Sequence, residues 1–524
     1  MVNFIKKYKF EIILIIITIF LMLLYDENGF FYNYTKYPDV KIYYNIGKQL
    51  FYGKQLYIDL IDVKGPYIFF IGMLSYLFNK DLTVFFLVDS IFILIFAIYT
   101  YKILKIYLNE NSAFLSTLLN LLIVFSLFEY FGNIEVMLIG INSIFIYWLL
   151  NDGFNKNNKK IFFLFGIFIS LIFLIKLNYL FSFGIIGIIY LIKSIKSKKN
   201  IKREILNMGL GIIIGFIPLI IYDIIHNSYF ETIKNYISLC ISYGNRNFIF
   251  GFNGIQFISI NIIFFIISIV LIILYKKKIK NMGLILIFFI CSMFSIFITK
   301  NIYYYYYYML FPFNCFLFVL INSKNKNNII ISSLKIFFSI FMIFGFLINT
   351  LYIIDAKQIN GDVQDTFEYK FYEDYKDVID DNTIIVGIGH ISNIATTYFD
   401  NQPQSKYWFN LNLSYTSYPE IYDYHLTNLA NKKIDFAIVN GFLLENFQTI
   451  NNYYNHAKNI NLQKYCLTYN KKILLFFYSS NINNSEYIKQ VTKLLNKNYK
   501  ISNIYIKNNR YRHFLFYLVY QKNI

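Results

Sequence analysis

Asp39-Val-Lys-Ile-Tyr43, followed by Gly47-Lys48, Gly53-Lys54 and the block Tyr57-Ile-Asp59-Leu-Ile-Asp62-Val-Lys64-Gly65-Pro66, comes directly after the first hydrophobic run of the chain. Asp39, Asp59 and Asp62, with Lys64 and a Gly-Pro stop, are gathered in one loop of a sequence otherwise suited to lipid. Ionisable groups held at a membrane surface are costly, so they mark a functional site by default.

The surrounding composition makes the membrane reading firm. Of 524 residues, 57% are hydrophobic and only 15% charged, with 58 Phe and 50 Tyr. A water-soluble globule cannot bury that much apolar surface. The net charge of +19 is no sign of nucleic-acid binding, because the lysines collect beside the hydrophobic runs, as membrane topology requires. Cys240, Cys291, Cys315 and Cys466 have no Cys-x-x-Cys spacing, which argues against a zinc site and a disulfide framework. The first run is followed by Tyr25-Asp26-Glu27-Asn28 rather than a small-residue cleavage site, and reads as a retained anchor.

Runs long enough to cross a bilayer, about 20 residues each, lie near 9–25, 84–104, 112–130, 135–151, 161–175, 178–193, 207–225, 253–275, 282–299, 303–321 and 329–354. Basic clusters at Lys6/Lys7/Lys9, Lys102/Lys105, Lys156/Lys159/Lys160, Lys193 to Arg203, Lys276 to Lys280 and Lys324/Lys326 fall on one side of that arrangement. Placing them in the cytoplasm gives an inside N-terminus and an outside C-terminus in a cell membrane. Tyr67 to Phe78 is apolar but too short to cross, so residues 26–83 form one long external loop with segments lying along the membrane. In that loop Asp39, Tyr43 and Ile46 fall at i, i+4 and i+7, one face of a helix. Residues 356–524 are polar, with strand-like runs at Thr383–Ile388, Asp435–Val439 and Lys472–Tyr478 and a helix-like stretch at Tyr418–Asn431. The fold class is therefore an α-helical polytopic membrane protein of about eleven spans over residues 1–355, with a C-terminal extracytoplasmic α/β domain at 356–524. Val386-Gly-Ile-Gly389-His390 lacks the third glycine of a dinucleotide loop and reads as a strand-ending turn.

Asp39 after the first span, Tyr43, Gly47-Lys48 and the block ending at Pro66 together resemble the GT-C superfamily of membrane glycosyltransferases. The nearest likeness is to bacterial members related to protein O-mannosyltransferases and lipid A aminoarabinose transferases. Gly132-Asn133-Ile-Glu135 stands where that family tends to carry a second acidic site. Leu174-Ile175-Lys176-Leu177-Asn178 stands where it often carries a lysine, and Tyr303–Tyr308 before Phe311-Pro312 is similar to a family aromatic-rich segment in which a histidine is common. The likeness covers roughly residues 1–350.

The resemblance implies a polyprenyl-phosphate-linked sugar donor reached from the lipid phase, and transfer outside the membrane to a glycan, lipid or protein acceptor. The residue types suit that chemistry. Glycosyl transfer passes through an oxocarbenium-like state, a carboxylate can deprotonate or orient the attacking hydroxyl, and a lipid phosphate leaving group needs cations or a divalent metal ion. Asp39 matches the family's first acidic position and is the expected acceptor-orienting carboxylate, with Asp62 and Glu135 as the other catalytic candidates. Lys64, Lys176, Arg246 and Lys300 are the candidate phosphate-binding cations; Tyr43, Asp59 and Tyr307 are the candidate substrate contacts.

Plainer readings stand beside these. Asp59 fits a turn cap before Gly65-Pro66. Lys176 and Lys300 fit snorkelling span ends, and Glu135 fits a first-turn acid favoured by the helix dipole. The tyrosine run fits an interfacial belt. Asp89, inside the second span, fits a structural pairing with another span. Two other function classes share the span count: a flippase or transporter for lipid-linked saccharides, and a membrane acyltransferase or polysaccharide polymerase. A transporter favours mid-membrane polar sites in broken helices and internal repeats. Here the ionisable groups gather at the outer edge, the chain holds only 6 Pro, and His226 is the sole histidine before residue 390 for an acyltransferase to use.

Overall fold

The computed structural model describes residues 7–35, 37–78, 80–127, 131–151, 159–196, 201–228, 230–244, 249–250, 266–277, 281–298, 300–321, 362–388, 392–400, 406–408, 418–444, 466–469, 472–476, 485–508 and 514–523. Helix α1 (Lys9–Tyr25) is followed by the loop helices α2 (Pro38–Phe51) and α3 (Pro66–Phe78). Next come α4 (Thr83–Lys105), α5 (Glu110–Leu127), α6 (Ile134–Leu150), α7 (Lys159–Ile175), α8 (Leu180–Lys196) and α9 (Ile201–His226). The membrane part continues with α10 (Glu231–Gly244), α11 (Ile266–Lys276), α12 (Met282–Phe297) and α13 (Cys315–Ile321). Within the bundle α7 packs along α9 and α4 along α6, while α2 lies along α3.

The protein is a multi-pass membrane protein, and α9 shows why. Its 26 residues extend about 39 Å at 1.5 Å per residue, more than the roughly 30 Å hydrocarbon core. Ile213, Ile217, Ile220 and Ile224 stand exposed along one face. That face is lipid-facing; water would penalise it heavily. Among the described residues α4, the segment Leu177–Lys196 and α9 are long and apolar enough to cross on length and composition, and seven further apolar helices are shorter. Helix α3 has 13 residues, about 20 Å, so its length falls short of a crossing, as the sequence suggests.

One expected span differs. Residues 303–321 do not form a single α-helix: Tyr304–Asn314 is an 11-residue 3-10 helix, and only the last turns, α13, are α-helical. Pro312 inside it has no N–H to donate, and nearly the whole stretch is buried. Runs of 3-10 helix longer than a few residues are uncommon; here tight packing against α6 and α12 accompanies it. The expected span at 329–354 lies outside the described residues, as does most of the run 253–275.

The C-terminal part is an α/β unit. Two short strands, β1 (Ile249–Phe250) and β2 (Asn301–Ile302), pair in the membrane part. The larger sheet uses β3 (Ile385–Ile388), β4 (Phe436–Leu444), β5 (Cys466–Tyr469), β6 (Lys472–Phe476), β7 (Tyr499–Asn508) and β8 (Phe514–Lys522). Its order is β5-β6-β4-β8-β7, with β3 parallel to the first half of β4 and β6 antiparallel to its second half. Helices α14 (Phe367–Tyr375), α15 (Pro419–Ala430) and α16 (Ser485–Asn498) accompany it. Val386, Ile388, Ile438, Val439 and Val519 form its core. β3 ends at Ile388; Gly389 and His390 lie outside the described residues.

His425 on α15 is buried in this unit, its Nε2 2.7 Å from the Tyr407 carbonyl and its Nδ1 3.4 Å from the Tyr487 hydroxyl. Those partners fix a neutral ring with the proton on Nε2, and burial pushes its pKa down to about 4. A depressed folded-state pKa gives stability that is present above the unfolded value of about 6.5 and lost as pH falls through about 4. We expect about 3 kcal/mol of the unit's stability to disappear across that window, and His425→Gln to flatten this part of the profile. Fluorescence of the buried Trp408, next to Tyr407, follows it; identical profiles for the two proteins would refute the assignment.

Candidate active site

The site is built where α2, the loop 52–65, the start of α6 and the end of α7 meet. Pro38 opens α2 and puts Asp39 in its first turn. Tyr43 follows one turn later, with its hydroxyl 3.4 Å from Asn133 Oδ1 just before α6. The helix lies tightly on α3: a Cβ on Gly47 would collide with the Gly72–Met73 backbone. Only glycine permits that approach.

The loop is held by its own polar groups. Asp59 Oδ2 accepts from Gln55 N at 2.8 Å, and Asp59 N bonds to Gln55 O at 2.8 Å. Asp59 therefore shapes the turn. Asp62 Oδ1 accepts from Lys64 N at 2.9 Å, and the Tyr57 hydroxyl donates to the Lys64 carbonyl. Gly65 N donates to Ile175 O at 3.2 Å, and a Cβ on Gly65 would strike the Leu174 and Ile175 carbonyls. That close approach joins Lys64 to the end of α7, where Lys176 begins.

Lys176 Nζ lies 2.5 Å from Glu135 Oε1, with side-chain exposures of 7% and 0%. Its ammonium sits 3.4 Å from the centre of the Tyr306 ring and 5.3 Å from that of Tyr179. Both geometries suit a cation over an aromatic face. Burial pulls the Lys176 pKa down to about 7, against the attraction of Glu135.

Burial also acts to lower Lys64, but the surrounding Tyr43, Glu135 and Asp39 outweigh it and hold that ammonium well above its usual pKa. Lys64 therefore stays charged at neutral pH. Burial pushes Asp62 up to about 6, against the Lys64 ammonium and the Lys64 and Val63 backbone N–H groups.

A cavity of about 560 Å³ opens beside this cluster, lined by Lys64, Lys176, Lys300, Cys240, Tyr243 and Tyr306 among mostly apolar neighbours. The Tyr306 hydroxyl and Glu135 Oε2 are buried with no hydrogen-bond partner among the described residues. Buried polar atoms are rarely left so. Three ammonium groups around an apolar cavity can hold an anionic headgroup whose tail is greasy, while the carboxylates beside them handle a proton.

The candidates from the sequence thus separate. Asp39, Tyr43, Asp62, Lys64 and Glu135 lie within electrostatic reach of one another, and Lys176 and Lys300 join them at the cavity. Asp59 stays in its turn. Tyr307 is fully buried, and it is its neighbour Tyr306 that lines the cavity. Arg246 lies outside the described residues. Asp89 is buried in α4 and accepts from Gly132 N at the start of the Asn133–Glu135 segment, a structural pairing. No group of three His, Cys, Asp or Glu side chains that could hold a metal ion is present among the described residues.

Sequence reading missed helix α10, which supplies Cys240, Ile241, Tyr243 and Gly244 to the cavity wall. Its signal was present: Thr232, Tyr236, Leu239 and Tyr243, all buried, recur at helical spacing.

Among solved structures the chain is similar to the Archaeoglobus fulgidus oligosaccharyltransferase, solved with a tethered acceptor peptide containing the NVT sequon. The TM-score is 0.48 at 9% identity, covering 91% of this chain and 75% of that one. Comparison with curated proteins gives no match. Residues 64–222, which run from Lys64 through Glu135 and Lys176 to Tyr222, match the sequence profile of the dolichyl-phosphate-mannose-protein mannosyltransferase family. That match takes in Lys64, Glu135 and Lys176 of the site, and over this stretch the chain is similar to that family of membrane glycosyltransferases.

Proposed function

We propose that this protein is a membrane glycosyltransferase that takes a sugar from a polyprenyl-phosphate donor and passes it to a hydroxyl of an extracytoplasmic glycan, lipid or protein. The observation that carries the reading is the convergence of Lys64, Lys176 and Lys300 on one largely apolar cavity next to Asp39 and Asp62. An apolar wall accepts the polyprenyl chain, and the ammonium groups stabilise the phosphate as it leaves with the bond electrons. Lys64 is the principal phosphate contact in this scheme and Lys300 the second. Lys176, whose charge is already matched by Glu135, shapes the wall and carries Tyr306.

Asp39 orients the acceptor hydroxyl or takes its proton as the oxygen attacks the anomeric carbon. Tyr306, whose hydroxyl lacks a partner among the described residues, supplies a hydrogen bond to donor or sugar. Mass spectrometry of polyprenyl-phosphate sugars and surface glycans in a deletion strain tests the scheme. Accumulation of one lipid-phosphate sugar with loss of one glycan is expected; unchanged pools of both would defeat it.

Orientation is part of the proposal. Cysteines placed at Lys54 and Lys376 should react with an impermeant thiol reagent in intact cells, and one at Arg203 only after lysis. The reverse pattern would put transfer in the cytoplasm and remove the polyprenyl-linked donor's external site.

A further inference from the structure

The C-terminal unit grips α2 from behind. Lys41, Asn45 and Lys48 follow one another at i, i+4 and i+7, as Asp39, Tyr43 and Ile46 do two residues earlier. A shift of two residues is about 200° around an α-helix, so the two sets occupy opposite faces of α2. One face carries the site. The other meets the C-terminal unit through Lys41, Asn45 and Lys48.

The grip is polar and buried. Lys41 Nζ lies 2.7 Å from Glu368 Oε1 on α14, and Asn45 Nδ2 is 3.2 Å from Thr397 Oγ1. Lys48, 1% exposed, donates to the carbonyls of Thr396, Thr397 and Phe399 at 2.9, 3.0 and 2.5 Å. All three hydrogens of its ammonium are thereby used. Helix α3 joins in through the Tyr76 hydroxyl, 3.0 Å from Asp400 Oδ1.

Burying a lysine is expensive unless its hydrogen bonds are met, and every acceptor of Lys48 comes from the other unit, 348, 349 and 351 residues along the chain. Lys48 lies in the last turn of α2, where the helix dipole favours a cation, but that small gain does not call for burying it against another unit. Its use lies in attachment.

We propose that the C-terminal unit is a positioning element for the reaction, holding α2 through Lys41 and Lys48 so that Asp39 stands in register with the cavity. The inference rests on the assignment of Asp39 made above, and it adds the residues that hold the helix in place. Lys41, Lys48 and Glu368 act through α2 and touch no substrate. Displacement of a reacting group by about an ångström costs up to about 10²-fold in rate, so a loosened α2 should lower turnover by about 10-fold or more while donor affinity stays.

The test uses the full-length protein in lipid nanodiscs and a charge swap. Hydrogen exchange over 38–51 is compared in wild type, Lys48→Met, Lys41→Glu and the double variant Lys41→Glu/Glu368→Lys, with α6 as an internal reference for folding. Exchange of α2 should rise in both single variants, return towards wild type in the swapped pair, and leave α6 unchanged. Transfer should fall in the singles through kcat, with KM for the donor unmoved, and recover in the pair. Unaltered α2 exchange in folded Lys48→Met and Lys41→Glu would overturn the inference, as would raised exchange with full transfer. If wild type shows no transfer from any lipid-phosphate donor, the proposed function fails on that result alone. The exchange arm would still decide whether the unit holds α2.

Discussion

Asp39→Asn is expected to leave protein level and donor binding intact and to lower turnover by about 10²-fold or more, the usual scale for a positioned general base. The substitution keeps size and much of the hydrogen bonding but removes the negative charge proposed to orient or deprotonate the acceptor. Asp39 is only partly buried, at the open end of α2, so the neutral amide is accommodated without a packing penalty. Turnover measured beside donor binding separates the chemical step from binding. Normal transfer by well-folded Asp39→Asn would transfer the base role to Asp62, whose carboxyl is pushed up to about 6 and so titrates near neutrality.

Glu135→Ala should act on stability instead. It strips the carboxylate from a Lys176 ammonium that is nearly fully buried, and removal of one member of a buried pair costs about 3–5 kcal/mol because the remaining charge is stranded. A thermal shift in detergent, or loss of folded protein from the membrane, reads this out. The double variant Glu135→Leu/Lys176→Met has no stranded charge and should recover most of the loss. Full stability of the single variant would mean that the pair is not closed in the membrane and that Glu135 is available to the acceptor.

Much of this arrangement was legible in the sequence, because the physics was of the kind sequence carries. Charges inside a lipid-suited chain are conspicuous, so Asp39, Asp62 and Lys64 stood out. The tight Gly65 contact with α7 explains why Lys64 and Lys176, far apart in sequence, line one cavity. What was not legible depends on tertiary partners. The pairing of Glu135 with Lys176 joins two span ends, each of which also has an ordinary explanation.

Helix α10 was hidden because its mixed polarity (Glu231, Lys234 and Asn235 beside Tyr236 and Leu239) reads as an external loop until its buried face is seen. The stretch 303–321 read as a span because hydropathy does not distinguish an α-helix from a buried 3-10 helix. Strands β5, β7 and β8 escaped notice; β5 and β7 pair with their chain neighbours β6 and β8, and only the β8–β4 pairing, which brings β7 and β8 into the sheet, joins distant residues. Choosing Tyr306 over Tyr307 within a run of identical residues needed coordinates.

The most direct test of the central claim, that the lysine-lined cavity holds a polyprenyl-phosphate headgroup, is native mass spectrometry of the purified protein with added polyprenyl phosphate. Wild type and Asp39→Asn should both carry one lipid, and Lys64→Ala/Lys300→Ala should lose it while remaining folded. Equal lipid occupancy in the double-lysine variant, or none in wild type, would contradict the site.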